Sequence, residues 1–247
     1  MNAGINVNYK DYCQETALSI AINRRDNPER EAIVKLILDK GADPNAIGIN
    51  TSRPLFLEIQ NESRKPNLAV VKMLLDKGAN VNNKTRQKPL LHVVLSISFA
   101  MSTDALLELV KILINKGADV NSVDQEGNTA LNILMNYTVV APARRKILLA
   151  LITILIKRKV DVNQTNHKGK TPVVYAISLQ SKNVLQLLLE HGAKVCVESE
   201  DGKVISPLDS AIVQYLQTKN QSSKVMLEYL LQCGASYRNI SYTEHCR

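Results

Sequence analysis

Tryptophan is absent from this chain of 247 residues, and phenylalanine occurs only twice. Aromatic residues make up 4% of it, against 45% hydrophobic residues in all. A core that is almost wholly aliphatic suits thin helical layers better than a thick sandwich. Cysteine is scarce as well: Cys13, Cys196, Cys233 and Cys246, with no C-x-x-C pair. So few cysteines, so irregularly placed, read as a reduced, intracellular and cytoplasmic protein, not a disulfide framework. Long hydrophobic runs are missing too. The richest, Ile147 to Ile156, is too short to cross a bilayer and has charges at both ends, so it predicts a buried helix and no membrane span. Met1 to Lys10 is polar and lacks the apolar core of a signal peptide.

Catalytic and metal-binding patterns are missing. His92, His167, His191 and His245 are scattered, and neither the Cys196–His191 pair nor His245–Cys246 has further ligands at zinc spacing. There is no Gly-rich phosphate loop, no H-E-x-x-H and no nucleophile elbow. Cys13 has no histidine placed to activate it. The sequence therefore predicts no enzyme, no metal, no cofactor and no small-molecule substrate.

Charge leans one way, with 31 Lys and Arg against 23 Asp and Glu, a net of +8. That balance favours solubility and an acidic partner. The densest basic stretch holds Arg144, Arg145, Lys146, Lys157, Arg158, Lys159, Lys168 and Lys170. Its first two clusters stand about a dozen residues apart on one predicted helix, roughly 20 Å at 1.5 Å per residue. Only Tyr137 and Tyr175 are near in sequence, so the stacking stripe of a nucleic-acid binder is lacking, and nucleic acid is the lesser alternative.

What the chain does have is a repeat. An apolar helical run ends in Gly41-Ala42-Asp43-Pro44-Asn45, Gly78-Ala79-Asn80-Val81-Asn82 and Gly117-Ala118-Asp119-Val120-Asn121. Weaker copies are Lys159-Val160-Asp161-Val162-Asn163, Gly192-Ala193-Lys194-Val195-Cys196 and Gly234-Ala235-Ser236-Tyr237-Arg238. A second phrase alternates with it: Thr16-Ala17-Leu18, Arg53-Pro54-Leu55, Lys88-Pro89-Leu90, Thr129-Ala130-Leu131, Thr171-Pro172-Val173 and Ser206-Pro207-Leu208. Gly after a helix is a C-cap, because it takes the left-handed conformation without a side-chain penalty. Thr before Pro opens a helix, its hydroxyl accepting an orphan N–H and Pro fitting the first turn. Each unit is then a short helix and a second helix of clear 3.6 periodicity, such as Ala32 to Leu38 or Leu109 to Ile114.

These phrases resemble the ankyrin-repeat family, with its Thr-Pro-Leu-His opening and Gly-Ala-Asp-Val-Asn hairpin. The resemblance covers about Gly4 to Arg238. It implies an all-α solenoid of about six helix-turn-helix repeats with β-hairpin-like connections, one array over residues 1–247. The repeats fall roughly at 9–45, 46–82, 83–121, 122–163, 164–196 and 197–238. Lys159 stands where the family has its capping Gly, and Arg86 where it has a turn Gly. The Lys-, Ile- and Asn-rich composition is similar to ankyrin proteins of intracellular bacteria or large DNA viruses, which act in the host cytoplasm. Asn82, Asn121 and Asn163, each eight residues after a Leu, resemble the asparagines hydroxylated in animal ankyrin repeats; their structural role is to bond turn backbone.

The family's function is to bind a protein partner through the hairpin tips and the exposed side of the first helices. Carried over position by position, that surface comprises Tyr12, Ile49, Asn50, Lys84, Leu95, Gln125, Glu126, Asn136, Tyr137, His167, Lys168 and Leu179. Ile49, Leu95 and Tyr137 supply its apolar centre in the second to fourth repeats. The alternative is a targeting arm of a larger enzyme, suggested by the helix-less hairpin tail Gly4 to Asn8. Residues beyond the family's unit lie between the two helices of a pair, at Arg24–Arg30, Gln60–Asn67, Ile97–Thr103, Tyr137–Lys146 and Tyr215–Ser223. Pro28, Pro66 and Pro142 are expected to open the second helices after these insertions, with Asn27 as an N-cap. Arg24, Arg25, Arg30, Arg64, Lys65, Arg144 and Arg145 make that far edge a competing, salt-sensitive surface.

Overall fold

The structure is a computed structural model that describes residues 6–24, 26–48, 53–60, 65–85, 88–97, 102–140, 145–195, 197–198 and 204–233. Among the described residues there are twelve helices, in six pairs, and two short hairpins. They fall into two compact units, Met1–Asp119 and Val120–Arg247.

The first unit holds α1 (Ala17–Asn23), α2 (Arg30–Asp39), α3 (Pro54–Ile59), α4 (Leu68–Asp76), α5 (Leu90–Ile97) and α6 (Thr103–Asn115). Strands β1 (Lys84–Thr85) and β2 (Lys88–Pro89) pair antiparallel just before α5. Helix α1 packs on α2 and on α3, α2 on α4, α3 on α4, and α5 on α6. Six to eight residues is too short for a helix to persist alone in water. Stability comes instead from stacking: Leu18, Ile22, Leu55, Phe56, Ile59, Leu90 and Leu95 from the first helices and Val34, Leu38, Val70, Leu74, Leu109 and Leu113 from the second helices are buried, a core that is aliphatic but for Phe56.

The second unit holds α7 (Ala130–Val140), α8 (Arg145–Lys157), α9 (Pro172–Ser178), α10 (Lys182–Glu190), α11 (Pro207–Thr218) and α12 (Gln221–Gln232). The hairpin β3 (Val197–Glu198) and β4 (Val204–Ile205) precedes α11. Here α7 packs on α8 and α9, α9 on α10 and α11, and α12 on α10 and α11.

The opening phrase does what its chemistry predicts. Thr16 accepts the Ser19 N–H at 3.2 Å while the Ser19 hydroxyl accepts the Thr16 N–H at 2.9 Å, a reciprocal cap. Thr129, Thr171 and Ser206 cap their helices by accepting the N–H groups of Asn132, Val174 and Asp209. Arg53, which has no short hydroxyl, makes no side-chain cap. The closing phrase is a Schellman-type stop: Ala42, Ala79, Ala118, Val160 and Ala193 each donate back five residues, to Ile37, Leu74, Leu113, Leu155 and Leu188. The glycine before four of them has φ near +90°, and Lys159 takes φ 58° in the same place.

The closing asparagines tie one repeat to the next. In the first unit the Nδ2 groups of Asn8, Asn45 and Asn82 donate to the carbonyls of Gly41, Gly78 and Gly117. Their Oδ1 atoms accept from the backbone of Asp43, Asn80 and Asp119. Asn121 and Asn163 repeat the pattern in the second unit, on Lys159 and Asp161 and on Gly192 and Lys194. The bonds to turn backbone are present, and they reach across to the neighbouring turn.

The connections between paired helices need correction. Arg24–Arg30, Gln60–Asn67 and Ile97–Thr103 do separate helices, but Tyr215–Ser223 does not form a loop. Helix α11 runs on through Thr218, and only Lys219 and Asn220 part it from α12. Tyr137 likewise belongs to α7, which continues to Val140. In α11 the good helix formers Leu216 and Gln217 favour the extension, whereas the Tyr, Thr and Val residues that end α7 are helical despite weaker propensity, which tertiary context readily overrides. Nor do the prolines open second helices: α2 begins at Arg30 and α4 at Leu68, whereas Pro142 lies outside the described residues. Asn67 caps α4 through Ala69 and Val70, while Asn27 accepts the Glu29 N–H one turn ahead of α2.

Candidate functional site

Three of the tips between a closing and an opening phrase are built to one plan. Asp11 Oδ1 accepts the N–H groups of Cys13 at 2.9 Å and Glu15 at 2.8 Å. Asp124 does the same for Glu126 and Asn128, both at 2.9 Å. Asn166 serves Lys168 at 3.1 Å and Lys170 at 2.9 Å. An Asx side chain that satisfies two amides fixes a loop that would otherwise fluctuate. The tip residues are therefore displayed on rigid backbone.

In the first unit, Tyr12 sits on the first tip with its side chain fully exposed. Lys84 lies exposed in β1. Ile49 and Asn50, like the turn position Arg86, lie outside the described residues. In the second unit the two tips touch. The His167 N–H donates to the Glu126 carbonyl at 2.9 Å, and Asn166 Nδ2 donates to Asn128 Oδ1 at 2.8 Å. The His167 ring lies so close to Gly127 that a Cβ there would come within 2.7 Å of it. Gln125, Glu126, His167 and Lys168, chosen from two separate tips, are all exposed and brought side by side. Asn136 is exposed on α7; the helix also carries Tyr137, whose side chain lies outside the described residues.

Two expected contact residues are overturned. Leu95 and Leu179 are each 1% exposed and belong to the core. Helix α5 is buried from Leu90 through Leu95 and α9 from Pro172 through Ile177, so these short helices have no free apolar side to offer. The signal was in the sequence: apolar residues fall on every face of both helices, the mark of a wholly buried helix. The competing far edge also loses a member. Arg30 is buried and ion-paired with Glu58, so it contributes no exposed charge.

The sequence reading passed over Tyr9 and Ile47, both exposed and large. Ile47 helps to line a recess of about 500 Å³ together with Asn8, Lys10, Asp43, Asn45, Ala46 and Arg53. The Arg53 guanidinium is anchored by donating to the Asn45 carbonyl at 2.6 Å. Asp43 Oδ1 accepts the Asn45 N–H at 2.8 Å.

Among the described residues no three His, Cys, Asp or Glu side chains gather as a metal would require. Cys13 and Cys233 are free, exposed thiols. His191 caps α10 by donating from Nδ1 to the Leu187 carbonyl at 2.8 Å, a helix-end role. No helix among the described residues is long and apolar enough to cross a membrane.

Comparison with known proteins agrees with this construction. The family model "Ankyrin repeats (3 copies)" matches residues 97–199 and again 141–241, and the single "Ankyrin repeat" model matches residues 13–49. The chain belongs to the ankyrin-repeat family. A crystal structure of an ankyrin repeat domain from Acinetobacter baumannii AYE is similar to it with a TM-score of 0.63 at 22% identity, covering 77% of this chain and 88% of that one. At that identity the likeness is one of fold. None of the curated proteins matches the chain. Ankyrin repeats are in general protein–protein interaction modules, and the fold is typically non-enzymatic.

Proposed function

We propose that this ankyrin-repeat chain is a non-catalytic module that binds a protein partner through its hairpin tips. One observation carries the reading: a large aromatic side chain, Tyr12, stands fully exposed on a tip whose backbone is pinned by Asp11. An exposed aromatic on a rigid support gives contact area with little ordering entropy to lose, which is how interface anchors work. The second unit offers a polar patch of its own, where Glu126, His167 and Lys168 sit together on two joined tips. The free thiols of Cys13 and Cys233 support a reducing compartment, and the Lys-, Ile- and Asn-rich composition supports an effector acting in a host cell. Nucleic acid is the weaker reading. Among the described residues of the basic second unit, Tyr175 is 6% exposed and cannot stack on a base.

Site-specific photo-crosslinking tests the reading. A photoreactive amino acid replaces Tyr12 in one variant, Lys168 in a second and the exposed Lys35 of α2 in a third. Expected is a discrete protein adduct from the tip positions and none from Lys35. Adducts from Lys35 alone would move the partner to the second-helix face.

A further inference from the structure

We infer that the recess between the first two repeats takes an extended acidic segment of a partner protein, one with a carboxylate beside an apolar side chain. The inference rests on the reading of the chain as a protein-interaction module and names what one part of it recognises.

The recess holds two cationic side chains and one anionic one, Lys10 and Arg53 against Asp43. Asp43 is exposed and its Oδ1 accepts the Asn45 N–H, and the two cations outnumber it. The two asparagines of the lining are committed as well. Asn8 bonds Gly41 and Asp43, and Asn45 bonds Gly78 and Asn80. A ligand therefore meets few amide groups that it can bond without breaking the clamps between repeats. The side chains left to it are charged and apolar. Among the described residues Arg53 is held by a bond to the Asn45 carbonyl and keeps further N–H groups, in a planar fork that matches a carboxylate. Lys10 is exposed and unpaired among the described residues.

The apolar part is Ile47 with Ala46 in the lining, and Tyr9, next in the chain to Lys10, at the surface. Exposed Ile and Tyr beside paired cations give the apolar centre and polar rim of a recognition site. A volume of about 500 Å³ is in the range of side-chain and small-ligand clefts. It holds two or three side chains of an extended segment and does not hold a folded domain. The chain's net charge of +8 steers an acidic segment towards it.

The test uses the full chain and a phage-displayed library of random heptapeptides, selected without any assumed motif. Expected is an enrichment of Asp or Glu next to Leu, Ile, Val or an aromatic residue. Synthetic copies of the selected peptides should lose about tenfold in affinity against Lys10→Glu and against Ile47→Asp, and weaken as salt is raised. Arg53→Lys, which keeps the charge and loses the fork, should lose less. Lys35→Glu, exposed on α2 and away from the tips, should leave binding unchanged. Thermal melts of all variants confirm folding. Peptides without acidic residues, or a selection that yields none, overturn the inference. Peptides that respond to Lys168→Glu in the second unit and ignore Lys10→Glu and Ile47→Asp overturn it too, while leaving the module reading intact. Displacement of the selected peptides by a single-stranded oligonucleotide would replace the protein segment with a nucleic acid.

Discussion

The Asn82 side chain donates to the Gly117 carbonyl at 2.9 Å and accepts the Asp119 N–H at 2.8 Å, spanning one repeat to the next with a single amide. Both bonds lie at the exposed edge, so water replaces them in part when they are lost. Asn82→Ala should cost about 1–2 kcal/mol in a urea melt, from two hydrogen bonds of about 0.5–1.5 kcal/mol each. The same change at Asn45 should cost a similar amount. A loss below about 0.3 kcal/mol at both sites would mean that the ladder follows from the packing and does not hold it.

Lys159 closes α8 with φ 58°, in the place where Gly41, Gly78, Gly117 and Gly192 sit at φ of 85° to 90°. A side chain in the left-handed region costs roughly 1–2 kcal/mol. Lys159→Gly should therefore raise the stability of the second unit by about 0.5–1 kcal/mol, part of the relief being offset by the greater freedom of unfolded glycine. The reverse change, Gly78→Ala, should destabilise although a Cβ there has nothing within 4 Å. Denaturation midpoints of the two variants should move in opposite directions. Equal signs would show that backbone conformation does not decide the matter.

The reach of sequence reasoning is clear from these same residues. Gly41, Gly78 and Gly117 announce helix ends, and Thr16, Thr129 and Thr171 announce helix starts, because capping is local chemistry. The burial of Leu95 and Leu179 is not local. It depends on what packs against α5 and α9 from neighbouring elements; the all-round apolar pattern of the two helices points to it, whereas a surface position carried over from the family resemblance does not. Length measured against the family's unit puts Tyr215 in a loop, whereas Tyr215, Leu216 and Gln217 continue α11. The recess joins Lys10, Ile47 and Arg53, which are brought together by stacking and by the Arg53–Asn45 bond, and no spacing rule links them.

Arg30 opens α2 and meets Glu58 of α3 inside the first unit, both side chains being almost wholly buried. Glu58 Oε1 also accepts the Asn67 N–H at 2.7 Å, so one carboxylate joins α2, α3 and the start of α4. Glu58→Ala leaves a buried cation without its counter-charge and should cost about 3–5 kcal/mol. Arg30 Nε finds no acceptor among the described residues, so the pair is already incompletely satisfied. Arg30→Met with Glu58→Leu should therefore recover much of the loss, short of the bond to Asn67. Urea denaturation of the two variants checks the order. A double variant weaker than Glu58→Ala would show that the ion pair itself is a net gain.

Tyr175 of α9 lies beneath the joined tips of the second unit, where its phenol oxygen accepts Asn166 Nδ2 at 3.2 Å. Burial raises its pKa above the ordinary phenol value; the Asn166 hydrogen bond acts the other way, and Asp124 and Glu126 add to the rise. The unfolded chain thus ionises this phenol before the folded chain does. The stability it contributes is fully present below the unfolded pKa of about 10 and is lost as pH rises through the higher folded value. Tyr175→Phe removes that dependence along with the hydrogen bond, so the variant should be weaker by about 1 kcal/mol near neutrality. As pH climbs past about 10, the gap between wild type and variant should narrow. Urea midpoints at paired pH values measure the gap, and phenolate absorbance of the folded protein reports the titration directly. A gap that stays constant from neutral to alkaline pH would show that Tyr175 ionises alike in the folded and unfolded chains.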